Sequence, residues 1–300
     1  MKGPISRSKT VLTDLLSKKK LVLDGAMGTR LQKAGLPAGH LPDEWNISHP
    51  DVVYNIIHSY VEAGSDIVQT NTFGSNRFIL KKYGLEGKIR EINQKAVEIA
   101  RQAINPSTLL CASLGTVGGF IEPYGDLTKK DVQDVIKEQA EILLSEGIEI
   151  FNLETFISSV ESIAATETIL ELGGEVISSF TYELREDGRF TTLMGETPEK
   201  IAHIFQSYPI AVLGANCGTG MKQMIKIVSV YRSHYPGYLL CKPNAGIPKV
   251  QGDQVFYSET PEDFARGAKE LLDLNINIVG GCCGTTEKHI QAIAEVVHKT

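Results

Sequence analysis

Residues 128–154 read TKKDVQDVIKEQAEILLSEGIEIFNLE. Thr128 with Asp131 three positions later is a capping box, in which each side chain satisfies the other's backbone N–H at the start of a helix. Val132, Val135, Ile136, Ala140, Leu143 and Leu144 then form one apolar stripe, and Gly147 stops the helix. IEIFNLE (148–154) follows as a short apolar strand ending on a carboxylate. A helix feeding straight into such a strand is the repeat unit of an α/β fold.

The same unit recurs in both directions. Strands are predicted at LVLD (21–24), DIVQT (66–70), TLLCAS (108–113), EVISSFT (175–181), PIAVLGA (209–215), GYLLCKP (237–243) and NINIVG (275–280). All are short and apolar, as strands covered on both faces are. Thr197-Pro198 and Thr260-Pro261 read as an N-cap followed by a first-turn proline, and Pro50 opens a further helix that Gly64 closes. Eight strands, each followed by a helix, fit a (β/α)8 barrel or a doubly wound open sheet. The count and the length favour a single (β/α)8 TIM barrel over residues 21–300, preceded by a short basic helical extension over 1–20. Segments rich in glycine and polar residues follow strand after strand: DGAMGT, QTNTFG, SLGTVGG, LETF, ANCGTG, KPNAG and GGCCGTT. In a barrel these loops converge on one face, where the active site lies.

Composition narrows the function. A net charge of −6 argues against nucleic-acid binding, which normally needs a basic face. No apolar run approaches the ~20 residues of a bilayer span, and the N-terminus lacks a signal-peptide core, so a soluble cytoplasmic protein without membrane association is expected. The seven histidines lie in no recognisable strand-top motif, and His58, His203 and His289 fall on helices as surface or packing residues.

Five cysteines are too few for a secreted disulfide scaffold. Cys111 and Cys241 sit inside apolar strands and read as buried small hydrophobes. Cys217 follows the sixth strand in NCGTG, and Cys282 and Cys283 follow the eighth in GGCCGTT. These strands are next-nearest neighbours in a barrel, so their top loops can meet. The surrounding glycines permit the irregular backbone that turns both adjacent sulfurs to one point. Each loop also opens a helix, whose N-terminal dipole favours thiolate over thiol. Three thiolates suit zinc, with one position left exchangeable as in catalytic sites. A redox pair or vicinal disulfide at Cys282-Cys283 is the alternative from spacing alone.

These residues resemble the homocysteine S-methyltransferase family, whose barrel holds zinc (Zn2+) with one cysteine of an NC motif and two of a GGCCGT motif. The resemblance runs from DGAMGT (24–29) through TNTF (70–73), ETF (154–156) and PNAG (243–246) to GTT (284–286). Within the family, the wording is most similar to the homocysteine module of cobalamin-dependent methionine synthases. Gly115-Thr116 departs from the Gly-Pro usual there, in the loop after the third strand.

The resemblance implies a thiol methyltransferase. Zinc would deprotonate the acceptor thiol, only about 3% of which is thiolate at pH 7 when free. Cys217, Cys282 and Cys283 are its implied ligands, with Asn244 in the fourth position when substrate is absent. Asp24 and Glu154 are implied to take the ammonium of homocysteine, and the N–H groups of Gly25 and Ala26 could cradle its carboxylate. Thr70, Asn71 and Thr72 are expected as supporting groups around the substrate. No DxHxxG signature is present, and GTVGG (115–119) only weakly matches a nucleotide loop. The methyl group is therefore expected from methylcobalamin on a corrinoid protein or domain. S-adenosylmethionine, S-methylmethionine or betaine are the alternative donors, and another small thiol is an alternative acceptor. The chain is expected either to stand alone or to be one module of a larger enzyme. A non-enzymatic zinc-binding, thiol-binding or redox barrel stays open beside these readings.

Overall fold

The computed structural model describes residues 11–251 and 254–299. All eight predicted strands form: β1 (Leu21–Val22), β2 (Ile67–Gln69), β3 (Leu109–Leu114), β4 (Ile150–Phe156), β5 (Glu175–Phe180), β6 (Val212–Gly220), β7 (Tyr238–Asn244) and β8 (Ile278–Val279). They pair in parallel in the order β1-β8-β7-β6-β5-β4-β3-β2. A bridge from Leu23 to Ile67 joins the two ends, backed by Asp66 N–H to Val22 O at 2.8 Å and Asp24 N–H to Ile67 O at 3.1 Å. The sheet is thereby closed, and the open-sheet alternative is excluded.

An outer helix follows each strand, and the expected caps start several of them. Thr128 with Asp131 and Thr260 with Asp263 form complete capping boxes, and Thr197 accepts from Lys200 N–H. Among the described residues, no helix is long and apolar enough to cross a membrane. Two small antiparallel pairs not legible in the sequence, Glu183–Leu184 with Phe190–Thr191 and Lys249–Gln251 with Gln254–Phe256, decorate the loops after β5 and β7.

The barrel interior is graded from bottom to top. Its lower layer is apolar: Leu21, Leu23, Ile67, Cys111, Ile150, Ile177, Val212, Leu240 and Ile278 pack in one cluster. Helix α1 (Val11–Leu16) adds Leu12 and Leu16 to that cluster and plugs the floor, and Glu175 accepts its Leu12 N–H at 3.3 Å. Burying each leucine stabilises the fold by ~1.5–3 kcal/mol. Residues 1–10 of the predicted extension lie outside the described residues.

Side chains of a strand point to one face at every second residue. Two steps above the apolar layer, the inward columns therefore carry Gln69, Ser113, Asn152, Ser179 and Lys242. Two further residues along the longer strands come Glu154, Asn216 and Asn244. All are buried. The polar layer is the floor of the functional site.

Candidate metal and thiol site

The three strand-top cysteines converge. One ligand atom from each of Cys217, Cys282 and Cys283 lies within 4.8 Å of the others, and the Cys217 and Cys283 sulfurs are 3.9 Å apart. Two backbone irregularities bring this about. The β6–β7 register shifts between Asn216 and Gly220, and Cys217 itself adopts φ +60°. After β8, Cys282 N–H donates to Pro243 O at 2.7 Å and Cys283 O accepts from Ala245 N–H at 2.9 Å, which pins both cysteines against the top of β7. Gly284, at φ +81°, then turns the chain where a Cβ would stand 2.1 Å from the Tyr257 ring.

Asn216 holds the loops together from beneath. Its Oδ1 accepts from Thr155 N–H at 2.8 Å and Ser179 Oγ at 2.7 Å, while its Nδ2 donates to Thr155 Oγ1 and faces the Cys282 sulfur at 3.9 Å. The three sulfurs interact strongly. Hydrogen bonds from Cys282 and Cys283 pull the Cys217 thiol far below the ordinary range, and hydrogen bonding to Cys217 pushes the other two up. The cluster thus holds one thiolate, on Cys217, stabilised by its two neighbours. Cys111 and Cys241 take no part: both are fully buried, and burial raises both thiols.

The sulfurs, Asp24 and Glu154 line one cavity of about 450 Å3. That is the scale of a small-molecule site. Asp24 is buried. Its Oδ2 accepts from Gln69 N–H at 2.7 Å, but its Oδ1 is without a hydrogen-bond partner. Desolvation pushes its carboxyl up to about 6, with Lys242 opposing the rise. Glu154 Oε1 accepts from Gln69 Nε2 at 2.8 Å and, in a short bond, from Ser113 Oγ. Between the two carboxylates stands Lys242, with Nζ 3.5 Å from Asp24 Oδ1 and 3.4 Å from Glu154 Oε2. Burial alone would lower this ammonium's affinity for its proton, but Glu154 and Asp24 outweigh it and hold Lys242 above the ordinary lysine range.

Gln69, Ser113 and Lys242 were not predicted as site residues. Each is a polar residue at an inward position near the end of an apolar strand, and that placement is the signal that could have found them.

The remaining expected residues line the same region with different duties. Ala26 N–H already donates to Thr285 Oγ1 at 3.1 Å, which corrects the expected two-residue cradle and leaves Gly25 N–H as its candidate. Gly25 has a packing reason as well, since a Cβ there would lie 2.7 Å from the Tyr60 ring. Thr70 and Thr72 bond each other at 2.6 Å, and Thr72 Oγ1 donates to Ser113 O, so they brace β3, whose Ser113 hydroxyl in turn bonds Glu154. Asn71 Nδ2 turns to Pro42 O and Asn46 Oδ1. The Asn244 side chain helps to lower the Cys217 thiol, while its buried Oδ1 is unpartnered. On the outer helices, Glu199, His203 and His234 form a second group of possible ligands away from the cavity. His289 completes a helix cap with Thr286.

The family model described as homocysteine S-methyltransferase matches residues 21–297. The chain belongs to the homocysteine S-methyltransferase family. It is thereby a methyltransferase enzyme, and the family match spans the whole described barrel. Methionine synthases of Mycobacterium tuberculosis and Mycobacterium leprae are each 29% identical over 304 residues, covering 96% of this chain. The chain spans about a quarter of the length of these relatives, 25% in each case. In fold it is similar to the homocysteine methyltransferase MmuM from Escherichia coli. The metallated form superposes with a TM-score of 0.78 at 22% identity, over 95% of this chain and 99% of that one. The oxidised form gives 0.78 at 21% identity, over 96% and 99%.

Proposed function

We propose that this homocysteine S-methyltransferase binds homocysteine by its sulfur at Cys217, Cys282 and Cys283 and methylates it to methionine, taking the methyl group from methylcobalamin on a corrinoid protein or domain. The observation that carries the reading is the convergence, in one cavity, of three sulfurs from two separate strand ends with the buried carboxylates Asp24 and Glu154.

The residues fit zinc. A tetrahedron with Zn–S bonds of ~2.3 Å has edges of about 3.8 Å, and Cys217 and Cys283 already stand 3.9 Å apart. Asn244 supplies an unpartnered buried oxygen beside Cys217 once its amide turns over, which supports it as the fourth ligand in the absence of substrate. When bound, zinc would supply a thiol that is deprotonated yet still nucleophilic, since three cysteine thiolates outweigh its charge.

The chain's own residues orient the acceptor. Asp24 Oδ1 is the open atom for an ammonium, and Gly25 N–H for a carboxylate. Asn216 and Pro243 O fix the position of Cys282. The thiol proton departs on binding, the sulfur lone pair forms the new S–CH3 bond, and the donor keeps the electron pair of its broken bond to carbon. A corrinoid is too large for a 450 Å3 cavity, so its carrier must dock over the strand tops. That rim exposes Phe120, Tyr124, Leu184, Leu193, Ile247 and Phe256 on the loops after β3, β5 and β7, which supports a protein partner there.

The deciding assay follows methionine formation from homocysteine with methylcobalamin, S-adenosylmethionine, S-methylmethionine and betaine in parallel, with metal content measured on the same preparation. Turnover with methylcobalamin and one zinc per chain is the expected result. Saturable turnover with S-adenosylmethionine and none with methylcobalamin removes the corrinoid reading. An absence of both zinc and turnover removes the thiol-activation reading.

A further inference from the structure

The pocket that would receive a substrate ammonium already contains one. Lys242 is only 5% exposed at its side chain. An ammonium has three N–H bonds to place. Three acceptors surround Nζ: Gln69 Oε1 in a short hydrogen bond, Glu154 Oε2 at 3.4 Å and Asp24 Oδ1 at 3.5 Å. Gln69 and Glu154 accept two of its hydrogen bonds, and Asp24 Oδ1 is its third neighbour in charge contact only.

The acceptors are unequally committed. Glu154 is held on its other oxygen by Gln69 Nε2 and Ser113 Oγ. Asp24 Oδ1 makes no hydrogen bond and stands in charge contact with Lys242 at 3.5 Å. Two carboxylates and one lysine leave a single net negative charge on the pocket floor, enough to attract one further ammonium. That ammonium must approach Lys242, and like charges repel strongly where water is excluded.

We infer that Lys242 is a specificity-determining residue: it fills the ammonium subsite between Asp24 and Glu154, confines an incoming amino group to Asp24 Oδ1, and so weakens the preference for amino thiols over thiols that lack an amino group. The inference rests on the reading of Asp24 and Glu154 as ammonium acceptors. Lys242 acts through these carboxylates and is a positioning residue. It also lies within Coulombic reach of Cys282, so its removal alters the sulfur cluster too. A thiol without an amino group shares that second effect and isolates the first.

The test is calorimetric titration of the metal-loaded protein with L-homocysteine and with 4-mercaptobutanoate, which is homocysteine without its amino group. The ratio of the two affinities is the readout, for the wild type, Lys242→Met and Lys242→Arg. Lys242→Met should raise the ratio in favour of homocysteine on the order of tenfold, the lower end of what a charge-assisted hydrogen bond is worth. Lys242→Arg keeps the charge and should keep the wild-type ratio. Should the methionine variant not fold, Lys242→Gln can still bond Gln69 and must move the ratio in the same direction. An unchanged or lowered ratio in the neutral variants overturns the inference. Failure of the wild type to bind either thiol would instead sink the homocysteine reading itself.

Discussion

Asp24→Asn separates what a buried carboxylate does for the fold from what it does for the ligand. Burial holds the Asp24 carboxyl at about 6, against 3.8 when unperturbed. The folded chain therefore keeps this proton more tightly than the unfolded chain. Below pH 3.8 the group is neutral in both states and has no effect. As pH rises from 3.8 to about 6 the unfolded chain ionises first, and stability falls; above 6 the loss is complete. At ~1.36 kcal/mol per tenfold step in proton affinity, the loss comes to about 3 kcal/mol at pH 8.

Asparagine keeps an oxygen for Gln69 N–H and carries no charge. Asp24→Asn should therefore match the wild type near pH 3.5 and exceed its stability by up to about 3 kcal/mol at pH 8, with Lys242 still charged in both. Homocysteine affinity should move the other way, by ~1.5–3 kcal/mol or about 10- to 150-fold, because the ammonium loses its open acceptor. Urea denaturation midpoints from pH 3.5 to 8, together with homocysteine titrations at pH 8, give both quantities. A variant less stable than the wild type at pH 8 would show that the Lys242 pairing outweighs the desolvation. Unchanged homocysteine affinity would refute the role of Asp24 in recognition.

Cys217→Ala, Cys282→Ala and Cys283→Ala should each lose stoichiometric zinc and turnover, whereas Cys111→Ala and Cys241→Ala should keep both and lose only stability; metal analysis after gel filtration checks this. Glu154→Gln should weaken homocysteine binding while leaving zinc bound, since Gln69 and Ser113 still hold the side chain in place; titration with metal analysis tests it. Asn244→Ala should lower zinc retention in the absence of thiol and leave it unchanged with homocysteine present, as read by competition with a chelator. Leu12→Ala should destabilise the barrel by ~2–5 kcal/mol with no change in thiol affinity, because the cavity opens at the floor and not at the site.

Much of this was legible because α/β barrels write their elements in local code. Thr128, Thr197 and Thr260 cap the helices they were expected to cap. The apolar runs became strands because both their faces are covered. The three cysteines were legible through glycine, which the irregular strand-top turns need at Gly284. What escaped was tertiary. The hairpins after β5 and β7 are too short to show a period. The partners of Asn71, namely Pro42 and Asn46, come from the short helices that follow β1. Lys242 stood in plain sight in GYLLCKP, two positions beyond the inward Leu240. A lysine ending an apolar strand reads as its solvated end unless the column is followed inward.

That column rule also explains how the barrel tolerates its own active site. Gln69, Ser113, Glu154, Asn216 and Lys242 bury polar and charged groups that a stable core avoids, and even a well-made ionic network offsets little more than its own desolvation. Each stands in an inward column with an apolar base, Ile67, Cys111, Ile150, Val212 and Leu240, all in the cluster that α1 seals with Leu12 and Leu16. The lower half can therefore hold the strands in register without help from the upper half. The polar layer is then free to leave Asp24 Oδ1 and Asn244 Oδ1 without partners. In a core that had to stabilise itself with those atoms, both would be filled; here they are among the places where the site has bonds left to offer a ligand.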